Sequence, residues 1–391
     1  MKTSNTKKLT KTIIFIILIT FAIHRLSCMV IEKTLGYKYY DPKWSFDGNE
    51  ILFAKEVTTG GDPGGAQYRT DLFTMSSAGK RIKRIAKGVE FGNFCPTENK
   101  IAYIKKEWDK YVLVTVKASG FNKKVVCRFR ECPNKINWSP KGDRILAVFD
   151  EYSYLVSINE DRLCWLSICD GEWSPDGTMI ASRKMIINSN GKAMVNIGQY
   201  DVKVYDWSKD SKCLIYDDNS SKIIYIAEVE NGEKRQLFKY QNEISSISVS
   251  PDNKNIVFIE IEKKKVVEEI TTFGGEKLSP VAEKVVSRYY IVSIKGNNLN
   301  KFDEHEGKAK QILWSRDGQE IRLDSERVYS IANKTIVAKK WPFKTSGYVE
   351  LSPDGSKYVY QGYISNDNNL THTGIFMSDS DGNNRRMIIH N

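Results

Sequence analysis

The sequence predicts an all-β fold: a β-propeller of eight four-stranded antiparallel blades. Three observations predict it. A phrase whose fullest form is Trp-Ser-Pro-Asp-Gly occurs eight times, beginning at Trp44, Phe94, Trp138, Trp173, Trp207, Val249, Trp314 and Leu351. Successive starts lie 50, 44, 35, 34, 42, 65 and 37 residues apart, and a period of about 40 with β-type punctuation points to a propeller. The phrase runs into short segments of high β propensity, among them 51–53 (Ile-Leu-Phe), 101–103 (Ile-Ala-Tyr), 145–148 (Ile-Leu-Ala-Val) and 256–259 (Ile-Val-Phe-Ile). Seven blades is the alternative, if the short fourth repeat merges with a neighbour.

The first 28 residues stand apart from the repeats. Lys2, Lys7, Lys8 and Lys11 precede an apolar run from Thr12 to Ile23. That run is short for a membrane span of about 20 residues and suits the apolar core of an export signal. Leu26-Ser27-Cys28 resembles a bacterial lipobox, although Arg25 occupies the place where that pattern has Leu. Lipidation at Cys28, an uncleaved anchor and cleavage elsewhere all stay open. Residues 29–38 read as a short linker, and 39–391 as the propeller. The leader also explains the basicity. It holds five of the 59 Lys and Arg and none of the 48 Asp and Glu, so without it the net charge falls from +11 to +6. A surplus of that size on so long a chain gives no reason to expect nucleic-acid binding.

Within the repeat each blade reads as strands a to d. In the first, strand a runs from Tyr39 to Trp44, b from Glu50 to Glu56, c from Asp71 to Ser76 and d from Arg81 to Ala86. The a–b turn has specific chemistry. Pro presets φ, Asp bonds its own backbone, and Gly takes a left-handed conformation that a Cβ would penalise. Asp176-Gly177 and Asp354-Gly355 are its fullest examples. Trp44, Trp138, Trp173, Trp207 and Trp314 each bring a large apolar body to a blade junction. Hairpin turns near Gly79, Gly120, Gly232 and Gly382 mark the c–d connections. The last of these, 379–382 (Asp-Ser-Asp-Gly), lacks the further oxygen ligands of a calcium loop. Repeat eight supplies its own strand d at 385–389, so blades one and eight are expected to meet by packing, without a shared strand.

The Trp-Ser-Pro-Asp-Gly phrase, the Ile-Ala-Phe-like strand and the Asp-Gly hairpin together resemble the TolB-type repeat, also called the WD40-like or Pro-Asp repeat. The resemblance runs from Tyr39 to the C-terminus. It implies the propeller fold and an exported setting, and its members include periplasmic partner-binding proteins and peptidase propeller domains. TolB's separate N-terminal α/β domain has no room here. Three repeats depart from the pattern. The second has Cys95 and Glu98, the fifth ends in Ser211, and the fourth leaves little room for strand d between Ile197 and Val202.

Two stretches exceed the repeat. Val57 to Arg69 is Gly-rich and reads as a surface loop, with no Gly-Lys-Ser/Thr to make it a phosphate loop. Ile261 to Ser287 is an insertion in repeat six, read as a long hairpin or a helical excursion. Long insertions on a rigid scaffold often carry function, so this segment is expected to project, to expose its Lys and Glu side chains and to contact a partner.

The chemistry of sites is sparse. Outside the leader lie six cysteines (Cys95, Cys127, Cys132, Cys164, Cys169, Cys213), with disulfides and thiols equally open. Their five-residue steps do not match zinc spacing. His305, His372 and His390 are the histidines outside the leader, and there is no Gly-x-Ser-x-Gly elbow. No catalytic, cofactor or metal-binding residue is assigned. The reading is a non-catalytic, monomeric propeller, exported to the periplasm or envelope, that binds a protein, peptide or glycan and meets a membrane only through its leader. The alternative is a hydrolase or lyase with a channel-mouth site.

Overall fold

The structure is a computed structural model. It describes residues 38–391 apart from 63–64, 161, 199–201, 219–220, 268–269, 272–276, 279–280, 308, 310–311, 324–326, 339–344, 365–371, 381 and 390–391. The leader, its Cys28 and nearly all of the linker lie outside the described residues, as does His390.

Eight four-stranded antiparallel sheets follow one another, each joined in simple sequence order, and the fold is an eight-bladed β-propeller. They span 39–87, 89–129, 135–166, 172–196, 203–239, 243–306, 313–338 and 345–389 and are called sheets 1 to 8. The chain divides into two compact units. One is Met1–Glu131 with Phe343–Asn391, carrying sheets 1, 2 and 8; the other is Cys132–Pro342, carrying sheets 3 to 7.

The repeated phrase forms one turn, built the same way in six of the eight repeats. In sheet 4 the Ser174 hydroxyl donates to Asp176 Oδ1 at 2.7 Å and accepts the Met179 N–H at 3.0 Å, and Gly177 N–H closes on Ser174 O at 2.9 Å. Ser45, Ser208, Ser250, Ser315 and Ser352 repeat both side-chain bonds. Hydrogen bonding holds these carboxyls below the ordinary range. Asp354, bonded first by the Ser352 hydroxyl and then by Ser356, is brought to about 2.

The turns also join neighbouring sheets. A Cβ at Gly177, at φ 67°, would lie 3.2 Å from Pro140 of the preceding turn, and one at Gly318 would lie 3.3 Å from Pro251. The fifth and sixth repeats break this Pro–Gly contact together. Lys209 replaces Pro and so offers an N–H, which Asn253, in the Gly position, accepts on Oδ1 at 2.6 Å. Ser211, the other departure, accepts the Asp176 N–H at 3.0 Å. Replacing Asn253 with Gly removes this exposed bond while relaxing a φ of 58°, and should cost at most about 1 kcal/mol. Adding Lys209→Pro should recover most of it, and urea melts of the double-mutant cycle read the coupling. Additive losses would break the link.

In the first unit, sheets 1 and 8 meet without a shared strand. Strand d of sheet 8 is its own Arg386–Ile389. The contact is apolar, from Tyr39, Trp44, Ile51, Phe53 and Met75 to Val359, Ile375, Met377 and Ile389. Thr373 Oγ1 also accepts the Tyr39 N–H and donates to Tyr39 O, both at 2.9 Å.

Three expectations need correction. Sheet 4 has its strand d at Ala193–Asn196, ahead of Ile197, because its four strands are only 2, 3, 4 and 4 residues long. The Gly-rich 57–69 stretch is not a loop. It continues strands b and c as one hairpin, Glu50–Asp62 against Gly65–Ser76, paired from Glu50↔Ser76 to Asp62↔Gly65 with one bulge between Thr58 and Gly60. The insertion starts later and ends earlier than expected, since Ile261 is 2% exposed within the core and Ser287 is fully buried, accepting the Ala309 N–H at 2.9 Å. Beyond them Asn255–Val267 and Val281–Ser293 form a two-stranded ribbon, with no helical excursion among its described residues.

Candidate functional site

In the second unit, strand a of each sheet starts at the edge opposite the Ser-Pro-Asp-Gly turns. There the starts of three successive strands, Lys135–Trp138, Glu172–Trp173 and Lys203–Trp207, line a groove of about 470 Å³. Its walls are Lys135, Asp170, Glu172, Arg183, Val202, Lys203 and Val204. The lining is charged, with both signs present, and contains no hydroxyl side chain.

The charges sit in exposed pairs. Lys135 bonds Glu172, joining sheet 3 to sheet 4. Arg183 donates Nε–H to Asp170 at 2.8 Å and bonds the same oxygen through Nη2. Such pairs contribute little to stability and exchange readily. The Lys203 ammonium lies 4.6 Å from the Tyr205 ring centre.

Behind Lys203 the wall is buried and hydrogen-bonded. Asp217 is 2% exposed and accepts the Tyr240 hydroxyl at 2.7 Å, while its other oxygen has no partner. Burial pushes its carboxyl upward, against the hydrogen bond from Tyr240 and the charge of Lys203. Burial, with Asp217 beside them, also raises the Tyr205 and Tyr240 phenols, so both keep their protons. Glu260, also buried, accepts the N–H groups of Gln241 and Asn242 at 2.9 and 2.8 Å and fixes the chain entering sheet 6.

The ribbon of sheet 6 rises from this edge. Strand a pairs with it only as far as Glu243↔Ile261, and strand d only as far as Val286↔Glu306. From Lys264↔Lys284 to Val267↔Val281 neither edge pairs with a further strand among the described residues. Lys263, Lys264, Lys265 and Glu283 are exposed. Its base is braced by Arg288, which bonds Glu262 and, at 2.9 Å, Glu304.

The sequence-predicted positions fall elsewhere. Trp44, Trp138 and Trp207 are buried, whereas Trp173 and Trp314 are half-buried. Within a unit the indole N–H reaches back one sheet: Trp44 to Glu350 O at 3.3 Å, Trp173 to Asn137 O at 3.3 Å and Trp207 to Glu172 O at 3.4 Å. Trp314 Nε1 lacks such an acceptor. Asp176, Gly177, Asp354 and Gly355 all serve turns. The six described cysteines are thiols without disulfides, and burial raises Cys127 to about 12. His305 lies 3.6 Å from Asp303, far along the chain from the groove lining. The side chain of His372 lies outside the described residues. No three His, Cys, Asp or Glu side chains among the described residues gather to hold a metal ion.

Sequence reading missed the groove and a second set of contacts. In three repeats the residue before the phrase reaches strand a of the next sheet. Glu350 Oε2 accepts the Trp44 N–H at 2.9 Å, Asp206 Oδ2 accepts the Val249 N–H at 2.9 Å, and Lys43 bonds Asn93. The signal available was the polarity of this position within otherwise apolar strands.

No family model matches the chain, and no curated protein matches it. Solved structures do. It is similar to an oligogalacturonate lyase in complex with manganese, at 10% identity over 88% of this chain and 90% of that one, with a TM-score of 0.50. It is similar to the β-propeller domain of the trilobed protease from Pyrococcus furiosus, at 12% identity over 91% and 98%, with a TM-score of 0.48. A putative TolB from Agrobacterium tumefaciens matches at 14% identity over 72% and 87%, with a TM-score of 0.36. At these identities the likeness is one of fold alone.

Proposed function

We propose that the protein is a non-catalytic, exported or envelope-tethered propeller that binds an extended polypeptide in the groove between Lys135 and Lys203. One observation carries this reading: the groove presents ammonium, guanidinium and carboxylate groups in exposed, exchangeable pairs. A polypeptide carries both signs of charge and takes over such pairs one for one, which an uncharged glycan cannot do. The ribbon of sheet 6 supplies open β-edges and cations beside the groove. Export and tethering rest on the leader.

Asp217 favours the alternative, a channel-mouth hydrolase or lyase, through its raised carboxyl and its unpartnered oxygen. Two protonated tyrosines and near-complete burial close it off from the groove, which makes it a support for the wall.

A random peptide library selected against the full chain tests the reading. Selected peptides should bind the double variant Lys135→Glu/Arg183→Glu at least tenfold more weakly. They should lose affinity again when 264–284 is replaced by a two-residue turn joining Lys263 to Val285. Both variants should stay folded, because the pairs are exposed and the shortened ribbon keeps Ile261, Ser287 and Arg288. Peptides that bind every variant equally would remove both elements from the reading.

A further inference from the structure

Strands b and c of sheet 2, Lys100–Glu107 and Lys110–Lys117, are joined by a two-residue loop, Trp108-Asp109. Trp108 is 97% exposed. Its φ is 57°, at the first position of a tight hairpin loop, where glycine is favoured and a Cβ is strained. The chain therefore spends conformational strain to hold its most exposed large apolar side chain among the described residues at the tip of a rigid hairpin. Packing does not explain it, because nothing packs there.

The surroundings are cationic. Lys105, Lys106 and Lys110 flank the tip on the same hairpin. Lys105 bonds Glu107, whose carboxyl lies below the ordinary range through that bond first, and then through the charges of Lys105, Arg128 and Lys123. Glu107 and Asp109 offset two of these five cations. Residues 89–131 as a whole hold nine Lys and Arg against five Asp and Glu, so this sheet carries most of the positive surplus left outside the leader. A second exposed aromatic stands on the neighbouring sheet. Asn99 bonds Asp47 at 2.7 Å, which sets the a–b turns of sheets 1 and 2 side by side. Their b–c hairpins are then side by side at the opposite edge, and Tyr68, 46% exposed, lies on the first of them.

We propose that the tip at Trp108 docks on an anionic lipid surface. A tryptophan that anchors a protein interface sits within an apolar patch that excludes water. The chain neighbours of Trp108 are charged, and no groove surrounds it. An isolated indole ringed by lysines matches instead the headgroup layer of a bilayer, where the ring sits at the interface and each nearby cation is drawn to acidic lipid. Docking of this kind orients the propeller on a membrane rather than recruiting it.

The full chain is reconstituted with vesicles of phosphatidylcholine alone or mixed with phosphatidylglycerol, each with or without brominated acyl chains. The emission of Trp108 is the difference between the parent and Trp108→Phe, and the leader is common to both. That component should be quenched by brominated lipid and shielded from aqueous acrylamide in the anionic vesicles only, and Lys106→Gln/Lys110→Gln should reduce the quenching at least severalfold. Emission that stays open to acrylamide in both lipids overturns the proposal, as does equal quenching in both. Trp108→Gly supplies an independent check. It should melt at or above the parent temperature while abolishing vesicle-induced shielding of Tyr68. A lower melting temperature would make Trp108 a structural residue and end the proposal.

Discussion

Trp207→Ala should lower the unfolding free energy by about 3–5 kcal/mol, the usual cost of emptying a buried aromatic site. Trp207 is 3% exposed, packs among Met179, Ala181, Ile186 and Leu214, and donates its indole N–H to Glu172 O across a sheet junction. Trp44→Ala should cost as much, because it removes a 5%-exposed side chain and the indole bond to Glu350 O. The half-buried Trp173 and Trp314 should cost roughly half that, since part of each ring already meets solvent. Denaturant melts of the four variants decide this. A flat series would mean that the tryptophans act as interchangeable filler, and a larger loss at Trp314 than at Trp207 would contradict the burial ranking.

Stability should also fall as pH rises from about 4.5 to 7. Burial is the main cause that lifts Glu350 from its unfolded value of 4.5 to about 7, opposed by the Trp44 N–H bond and by Lys43 and aided by Asp41. A carboxyl raised on folding stabilises the native state below its unfolded pKa and loses that contribution as pH passes the folded value. The swing is at most about 3 kcal/mol. Glu350→Gln keeps an acceptor for Trp44 and removes the titration, so it should match the parent near pH 4 and exceed it near pH 8. Turn carboxylates such as Asp354 act in the opposite sense, losing their contribution as pH falls from 3.8 towards 2. Parallel melting curves for parent and Gln variant across the whole range would rule out the buried carboxyl as the cause.

The architecture was legible because the a–b turn is a local device. Ser, Asp and Gly at fixed offsets carry their own hydrogen bonds wherever they occur, so eight copies announce eight sheets. Sheet 4 misled because strands of two to four residues leave almost no periodicity to read. The Gly-rich stretch in sheet 1 misled because Gly60 and Gly61 look like loop residues, while their pairing with Gln67 and Ala66 is settled by the partner strand. The groove was illegible for a different reason. Lys135, Asp170, Arg183 and Lys203 come from four separate connections, each ordinary in its own context, and only the stacking of sheets brings them together. Trp108 was equally hidden, because its exposure and its φ follow from a loop length that sequence does not display.

The contact between sheets 1 and 8 has a consequence for how the chain folds. Within each unit the other contacts described above join residues in the same sheet or the next one, whereas Tyr39 and Thr373 are 334 residues apart. For a flexible chain of that length, bringing the two ends together costs about 5 kcal/mol in chain entropy, a cost that falls when the intervening sheets form first. With no shared strand, that closure rests on the apolar contact and on the two bonds between Thr373 and Tyr39. New termini cut between sheets 1 and 2, with the old ends joined, would turn this contact into one between sequence neighbours without altering a single sheet.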